Sequence, residues 1–339
     1  MKLIKTEDAV GHVLCHDMTQ IIKDQYKDAR FRKGHVVTEE DIPVLLSMGK
    51  EHLYVWEMTS GMVHENDAAE RLLALCGQEN MIRSGVKEGK IELKAACDGV
   101  FLVDSARLVA VNSQDEVMIA TRKGGMAVRE GDKLAGMRVI PLIIEEEKLR
   151  KAEQAAGDKP LLSLKPYVRK TACIVATGGE VKKGLIKDTF TPIVIDKLKT
   201  YGIETLEVVY SGDGVENVRD AVLTMREKKP DMILCTGGMS VDPDDNTPGG
   251  IKAAGANIIA YGAPVLPGAM FLLGYFDDGM PVMGLPGCVM YAGATVFDLV
   301  LPKIAADVPV TRADLAALGE GGLCLGCKPC HWPNCPFGK

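Results

Sequence analysis

The apolar positions change their period twice along the chain. Over residues 1–78, short strand-like runs mix with helical spacing. Thr38-Glu39-Glu40-Asp41 leads into Ile42, Val44, Leu45 and Leu46, with Pro43 in the first turn. A cap, an acidic first turn and an early proline predict a helix there, which Gly49 stops. His52-Leu53-Tyr54-Val55-Trp56 predicts a strand. Asn66 to Cys76, with Leu72, Leu73 and Cys76 on one face, predicts a second helix ended by Gly77. Over 79–150 the period shortens. Ile91–Lys94, Gly99–Val103, Leu108–Val111, Glu116–Ala120 and Met137–Leu142 are β-rich runs separated by turn residues such as Val128–Lys133. Their spacing predicts a small antiparallel sheet or barrel. A charged helix follows, then a proline-containing linker, over 151–167.

From 168 to 308 buried-looking strands alternate with helices. Ala172–Ala176, Leu206–Tyr210 and Met232–Cys235 are the strands. Helices are expected after Thr191-Pro192 and from Val215 to Lys228. The strand-like Pro281-Val282-Met283 leads into Gly284-Leu285-Pro286-Gly287, then an apolar helix from Val289 to Leu301 stopped by Pro302. A βαβαβ order predicts a mostly parallel sheet with helices on both faces. The expected fold is therefore a three-layer α/β domain, preceded by an α+β module (1–78) and a β-rich module (79–150). Residues 309–339 are expected as a flexible linker and tail.

Ligands of such sheets sit at the carboxyl ends of strands, near a reversal in strand order. The loops expected there are small and acidic. The richest runs from Thr236 to Pro248 and holds Gly237, Gly238, Ser240, Asp242, Asp244 and Asp245. Glycines admit backbone amides to an anion, and hydroxyls add donors. Aspartates beside them suit phosphate together with a divalent ion such as Mg²⁺. A solvated acidic turn capping the next helix explains the same composition equally well. Asp213, in Ser211-Gly212-Asp213-Gly214, is either a helix cap or part of that ion site. Gly284–Gly287 would place amides at a helix entrance, an anion site. Cys288 there is an activated thiol or a small buried residue.

Composition narrows the classes. Of 339 residues, 47% are hydrophobic and 25% charged, which excludes a disordered or fibrous chain. The net charge is −6, which argues against nucleic-acid binding through an overall field. No run is long and apolar enough for a membrane span, and Met1–Asp8 has no apolar leader core. The cytoplasm is the expected compartment, with no membrane partner. The 10 cysteines then read as free thiols or metal ligands. His12, His16, His35, His52 and His64 show no ligand spacing and are expected at the surface.

Four ordered pieces resemble the molybdopterin-binding domain of the molybdenum-cofactor biosynthesis proteins, over about 168–305. Thr177-Gly178-Gly179-Glu180 with Gly184-Leu185-Ile186 and Asp188 is similar to its T-G-[DN]-E…G-x-I-x-[DN] opening. Thr236-Gly237-Gly238-Met239-Ser240-Val241 resembles the T-G-G loop of the molybdopterin molybdotransferases. Asp245-Asn246-Thr247-Pro248 resembles the D-x-T-P of the adenylyltransferases. Pro267-Gly268 and Pro281–Gly287 resemble the molybdotransferase P-G…P-V-x-G-L-P-G.

The resemblance implies a molybdopterin or adenylated-molybdopterin substrate, with Mg²⁺-dependent insertion of molybdate. It implies Asp213 and Asp245 as catalytic, metal-holding carboxylates. It implies binding by Thr177, Gly178, Gly179, Glu180, Asp188, Thr236, Gly237, Gly238, Met239, Ser240, Asp242, Asp244 and Thr247. It also implies binding by Pro267, Gly268, Gly284, Leu285, Pro286 and Gly287. A homo-oligomer is implied, as is a molybdoenzyme or cofactor-pathway partner. Cys288-Val289 stands where the family pattern continues Asn-Pro, which keeps a non-catalytic carrier or sensor as an alternative. The competence-damage family shares the domain, so nucleotide processing is a further alternative.

The last sixteen residues hold Cys324, Cys327, Cys330, His331 and Cys335, spaced C-x₂-C-x₂-C-H-x₃-C. Four thiols and an imidazole so close can share one metal. Tetrahedral Zn²⁺ and an iron–sulfur cluster both fit that ligand set.

Overall fold

A computed structural model of the chain describes residues 2–22, 26–55, 61–242 and 245–339. The chain forms two compact units: Met1–Ala96 with Val103–Gly124 and Gly131–Ser163, and Cys97–Leu102 with Gly125–Glu130 and Leu164–Lys339. No helix of the described residues is long and apolar enough to cross a membrane.

In the first unit, the helix expected after Thr38 spans Asp41–Ser47. The amide and hydroxyl of Thr38 both donate to Asp41 Oδ2, at 2.9 Å each. His52–Val55 pairs antiparallel with Lys2–Lys5. Trp56 lies outside the described residues. The second helix spans Glu65–Cys76, and Gly77 ends it at φ 74°. Met81–Arg83, Ile91–Ala95, Lys133–Val139 and Val117–Thr121 form an antiparallel sheet in that spatial order. One expected strand is a helix: Leu108–Val111 lies within Ser105–Asn112. Asp104 caps it, accepting the Arg107 amide at 3.1 Å. Four consecutive apolar residues carry no period, so the cap decided between strand and helix.

The histidines of this unit are not all at its surface. His64 is 5% exposed. Its Nε2–H donates to the Cys15 carbonyl at 2.7 Å. Its Nδ1 accepts from the Asn66 amide and from Lys33 Nζ, at 3.2 Å each. These partners suit the neutral ring. Burial pushes the His64 pKa down and Lys33 pushes the same way, which outweighs the Cys15 carbonyl. His16 is lowered too, chiefly by burial, and its Nδ1 is buried without a hydrogen-bond partner.

The second unit is built on a six-stranded sheet. Its strands are β1 (Thr171–Thr177), β2 (Glu204–Ser211), β3 (Met232–Thr236), β4 (Asn257–Tyr261), β5 (Leu272–Tyr275) and β6 (Pro281–Leu285). Their spatial order is β2-β1-β3-β6-β5-β4. The pairs β1–β2, β1–β3 and β3–β6 are parallel; β5 runs antiparallel to β6 and to β4. The principal helices are α1 (Phe190–Lys199), α2 (Val215–Glu227), α3 (Thr247–Ala253) and α4 (Val296–Ala305). Alternation along β1 explains the layers. Ala172 and Ile174 face a core shared with α1 and α4, whereas Cys173 and Val175 face one shared with α2 and α3. Both faces are covered, which is why the strands read as continuous apolar runs.

Two helix boundaries differ from expectation. α1 starts at Phe190, so Thr191 lies inside it, and the Asp188 carboxylate accepts the Phe190 and Thr191 amides at 2.9 and 3.0 Å. α4 starts at Val296, behind a Thr295–Asp298 capping box, and runs through Pro302 to Ala305. Pro302 removes one helical N–H without ending the helix, because burial on the sheet holds both flanks. The tail is not a free segment either. Phe337 is buried in the α4 core, and Leu323 bridges to Leu266.

By NMR titration, the His64 imidazole should protonate below the ordinary 6.5. A lowered pKa means the folded state favours the neutral ring. Its contribution to stability is thus present above the unfolded value and lost on acidification through the folded one. A midpoint at or above 6.5 contradicts the buried, neutral assignment.

Candidate functional site

Register places the strand ends side by side. Thr177 lies opposite Ser211, Ala176 opposite Thr236, and Thr236 opposite Leu285. From β1 the chain passes outward to β2, then returns to β3 on the other side of β1. The order therefore reverses between β1 and β3, the position where sheets of this kind bind ligands. β4 also ends at this edge, because Tyr261 pairs with Leu272, which pairs with Gly284.

A hydroxyl network ties these two strand ends together. Thr177 Oγ1 donates to the Thr236 carbonyl at 2.9 Å and lies 3.0 Å from Thr247 Oγ1. Thr247 Oγ1 donates to the Gly237 carbonyl at 2.9 Å, and the Thr247 amide to the Gly238 carbonyl at 3.1 Å. All three threonines are buried. Gly237 and Gly238 take φ +82° and +55°. A Cβ on Gly237 would collide with the Thr177 carbonyl, and one on Gly238 would sit 2.6 Å from Thr247 Oγ1. These two glycines are a steric requirement of the turn.

In the adjoining loops, carboxylates occupy backbone amides. Asp213 Oδ2 accepts the Gly179 amide at 3.0 Å, and Asp245 Oδ2 accepts the Ser240 amide at 2.9 Å. Both amides thus already bind anionic oxygen. Asp242 is exposed, and its carbonyl accepts the Asp245 amide. Asp244 lies outside the described residues. Met239 is buried against Gly284, and the Tyr261 hydroxyl donates to the Met239 carbonyl at 2.9 Å. Glu180 is exposed on the short helix Gly179–Lys182. Asp188 caps α1. Burial opposes its ionisation, but donors on Thr191, Phe190 and Tyr210 outweigh that and hold its pKa down.

Leu285 and Pro286 are buried at the end of β6, and Gly287 opens a short 3₁₀ turn to Met290. The Gly284–Gly287 loop therefore does not enter an α-helix directly, as its sequence had implied. Cys288 is half-buried, and burial pushes its thiol up, away from the thiolate. Pro267 and Gly268 pack on the start of α4: the Pro267 carbonyl accepts the Val296 amide at 3.3 Å. Among the described residues, no three His, Cys, Asp or Glu side chains are grouped for a metal. That holds for Asp213 and Asp245 and for the tail cysteines.

Two further residues near the site had no local signal in the chain. Tyr261 ties the Met239–Ser240 segment to the end of β4. Lys182 places its Nζ beside Gly212, a cation next to the Asp213 loop. Only a long-range contact reveals either.

Residues 173–306 match a family model described as a probable molybdopterin binding domain, and residues 3–57 match one described as a domain of unknown function. The match to the probable molybdopterin binding domain lies within the second unit. A CinA-like protein of Mycobacterium tuberculosis is 33% identical over 76 residues, 22% of this chain and 18% of that relative. The chain therefore spans under a fifth of the length of that relative. The solved MoaB of Thermus thermophilus aligns with 42% of this chain and 98% of its own, at 16% identity and TM-score 0.36. The Mog protein of Mycobacterium ulcerans aligns with 41% and 99%, at 21% identity and TM-score 0.35.

Gly237→Ala should destabilise the second unit by about 2 kcal/mol or more, combining left-handed strain with a clash. Gly255→Ala is the control. It has φ +91° but nothing within 4 Å of the added carbon. Equal losses in urea unfolding would contradict the close approach to Thr177.

Proposed function

We propose that the second unit binds molybdopterin at the carboxyl ends of β1 and β3, and acts in molybdenum-cofactor biosynthesis. The observation that carries this reading is the placement of the Gly237–Gly238 turn and the Gly179 amide on either side of the strand-order reversal. The chemistry of the site fits a phosphate-bearing substrate. Its amides already hold carboxylate oxygens, Lys182 adds a positive charge, and the buried threonines keep the turn rigid.

Asp213 and Asp245 are oxygen donors suited to Mg²⁺. Two carboxylates completed by substrate phosphates are an ordinary Mg²⁺ arrangement, so a preformed cage is not needed. When bound, the ion neutralises phosphate charge during transfer. The protein's part is an exchange: displacing either carboxylate from its amide leaves the amide to the incoming anion and the carboxylate to the metal. Glu180, Asp188, Asp242, Pro267, Gly268 and Gly284–Gly287 are further binding residues in this reading, and Asp244 is included on its sequence position alone. Within this reading the reaction is insertion of molybdate into adenylated molybdopterin, carried out in the cytoplasm by a homo-oligomer.

A second reading rests on the 76-residue similarity to CinA-like proteins, and makes the substrate a pyridine or ADP-ribose nucleotide. Substrate choice separates the two. With Mg²⁺ and adenylated molybdopterin, turnover is expected in the wild type and a fall of roughly a hundredfold or more in Asp245→Ala. The fold should survive, because Asp245 is a loop residue outside the core. Turnover unchanged in Asp245→Ala removes that carboxylate from the mechanism. Hydrolysis of the nucleotides alone favours the second reading.

A further inference from the structure

The family match ends at residue 306, and the cysteine tail lies beyond it. We propose that this tail is a second site, a thiolate-ligated soft-metal centre held by Cys324, Cys327, Cys330 and Cys335. It does not depend on the molybdopterin reading.

The structure fixes the two outer ligands and leaves the inner ones accessible. The Cys324 amide donates to the Leu266 carbonyl at 2.8 Å, and the Leu266 amide to the Gly322 carbonyl at 2.8 Å. Cys335 lies two residues before Phe337, which is 2% exposed. Trp332 meets Phe337 edge to face at 5.6 Å. The Gly338 amide donates to the Gly321 carbonyl at 2.9 Å, so the segment closes into a loop. Cys324 and Cys335 are half-buried against the α4 core, whereas Cys327 and Cys330 are exposed. All four are free thiols. No regular element spans Cys327–Cys335, so metal binding can draw the inner thiols in without disturbing a helix or strand.

Charge and ligand type point the same way. From Gly321 to Lys339 there is no Asp or Glu, and the lysines are Lys328 and Lys339. An all-thiolate set without carboxylate selects soft metals over Mg²⁺ or Ca²⁺. The lysines offset the surplus negative charge that four thiolates leave on a divalent ion or cluster. His331 stands as an alternate ligand next to Cys330. The position is specific as well: a Cβ on Gly293 would lie 2.6 Å from Cys330 Sγ. Gly293 sits in the connection between Gly287 and α4. The centre therefore lies beside the connection that leads into α4, and draws no ligand from the proposed molybdopterin site.

The test uses full-length protein purified without oxygen, with metal and acid-labile sulfide measured per chain. One zinc per chain without sulfide identifies a mononuclear site. Iron with equimolar sulfide identifies a cluster. Either result supports the thiolate centre. The reduced, metal-stripped protein should also take up Co²⁺ with sulfur-to-metal charge-transfer absorption and a change in Trp332 fluorescence. The double variant Cys327→Ser, Cys330→Ser should lose metal content by roughly tenfold or more. Because both side chains are exposed, its circular dichroism should match the wild type. Cys288→Ser, outside the tail, should keep full metal content. Absence of metal in the wild type together with no Co²⁺–thiolate band overturns the proposal, as does full metal content in the folded double variant. Each readout is made without pterin, so failure of the molybdopterin reading leaves the result unaffected.

Discussion

The second unit depends on how closely the turn after β3 approaches the end of β1. Thr177 supplies the carbonyl against which Gly237 packs and the hydroxyl that joins Thr236 to Thr247. Buried hydroxyls are costly unless paired, so this network specifies one arrangement of the two loops. The arrangement has consequences outward. It fixes the start of α3 at Thr247, sets Met239 against Gly284, and presents the Ser240 amide to Asp245. A larger residue at Gly237 or Gly238 would clash with Thr177 or Thr247 and push the loop off the sheet edge.

The strand-order reversal gives that contact its chemical meaning. Loops diverge where the chain leaves β1 in one direction and returns in the other. The carboxylates of Asp213 and Asp245 fill the anion-binding amides of the two diverging loops. In the function proposed above, an incoming phosphate displaces these carboxylates, which would couple its binding to that of a metal ion. Negative charge would otherwise repel a phosphorylated ligand. In that proposal the same charge becomes the means of holding Mg²⁺.

Much of this was legible in the chain because the signals are local. Continuous apolar runs such as Ala172–Ala176 and Met232–Cys235 mark strands buried on both faces, and paired glycines mark the turns after them. Failures arose where a local pattern was ambiguous or a distant contact decides. Leu108–Val111 has no period of its own, and the Asp104 cap turned it into helix. Pro302 looked like a helix stop, yet its flanks are pinned by burial in the core. His64 looked peripheral because its partners Cys15 and Lys33 are remote in sequence. The tail looked free because neither the Leu323–Leu266 bridge nor the burial of Phe337 leaves a local trace. In the site, the glycines and threonines were readable. The pairing of each carboxylate with an amide, and the parts played by Tyr261 and Lys182, were not.

The most direct measurement is the pterin content of the protein purified anaerobically, by extraction and fluorescence, followed by titration with added molybdopterin. A phosphate-binding site between Thr177 and Thr236 should yield molybdopterin near one per chain, or saturable uptake to that level. Absence of pterin together with no uptake would contradict the assignment and reduce the similarity to a shared fold.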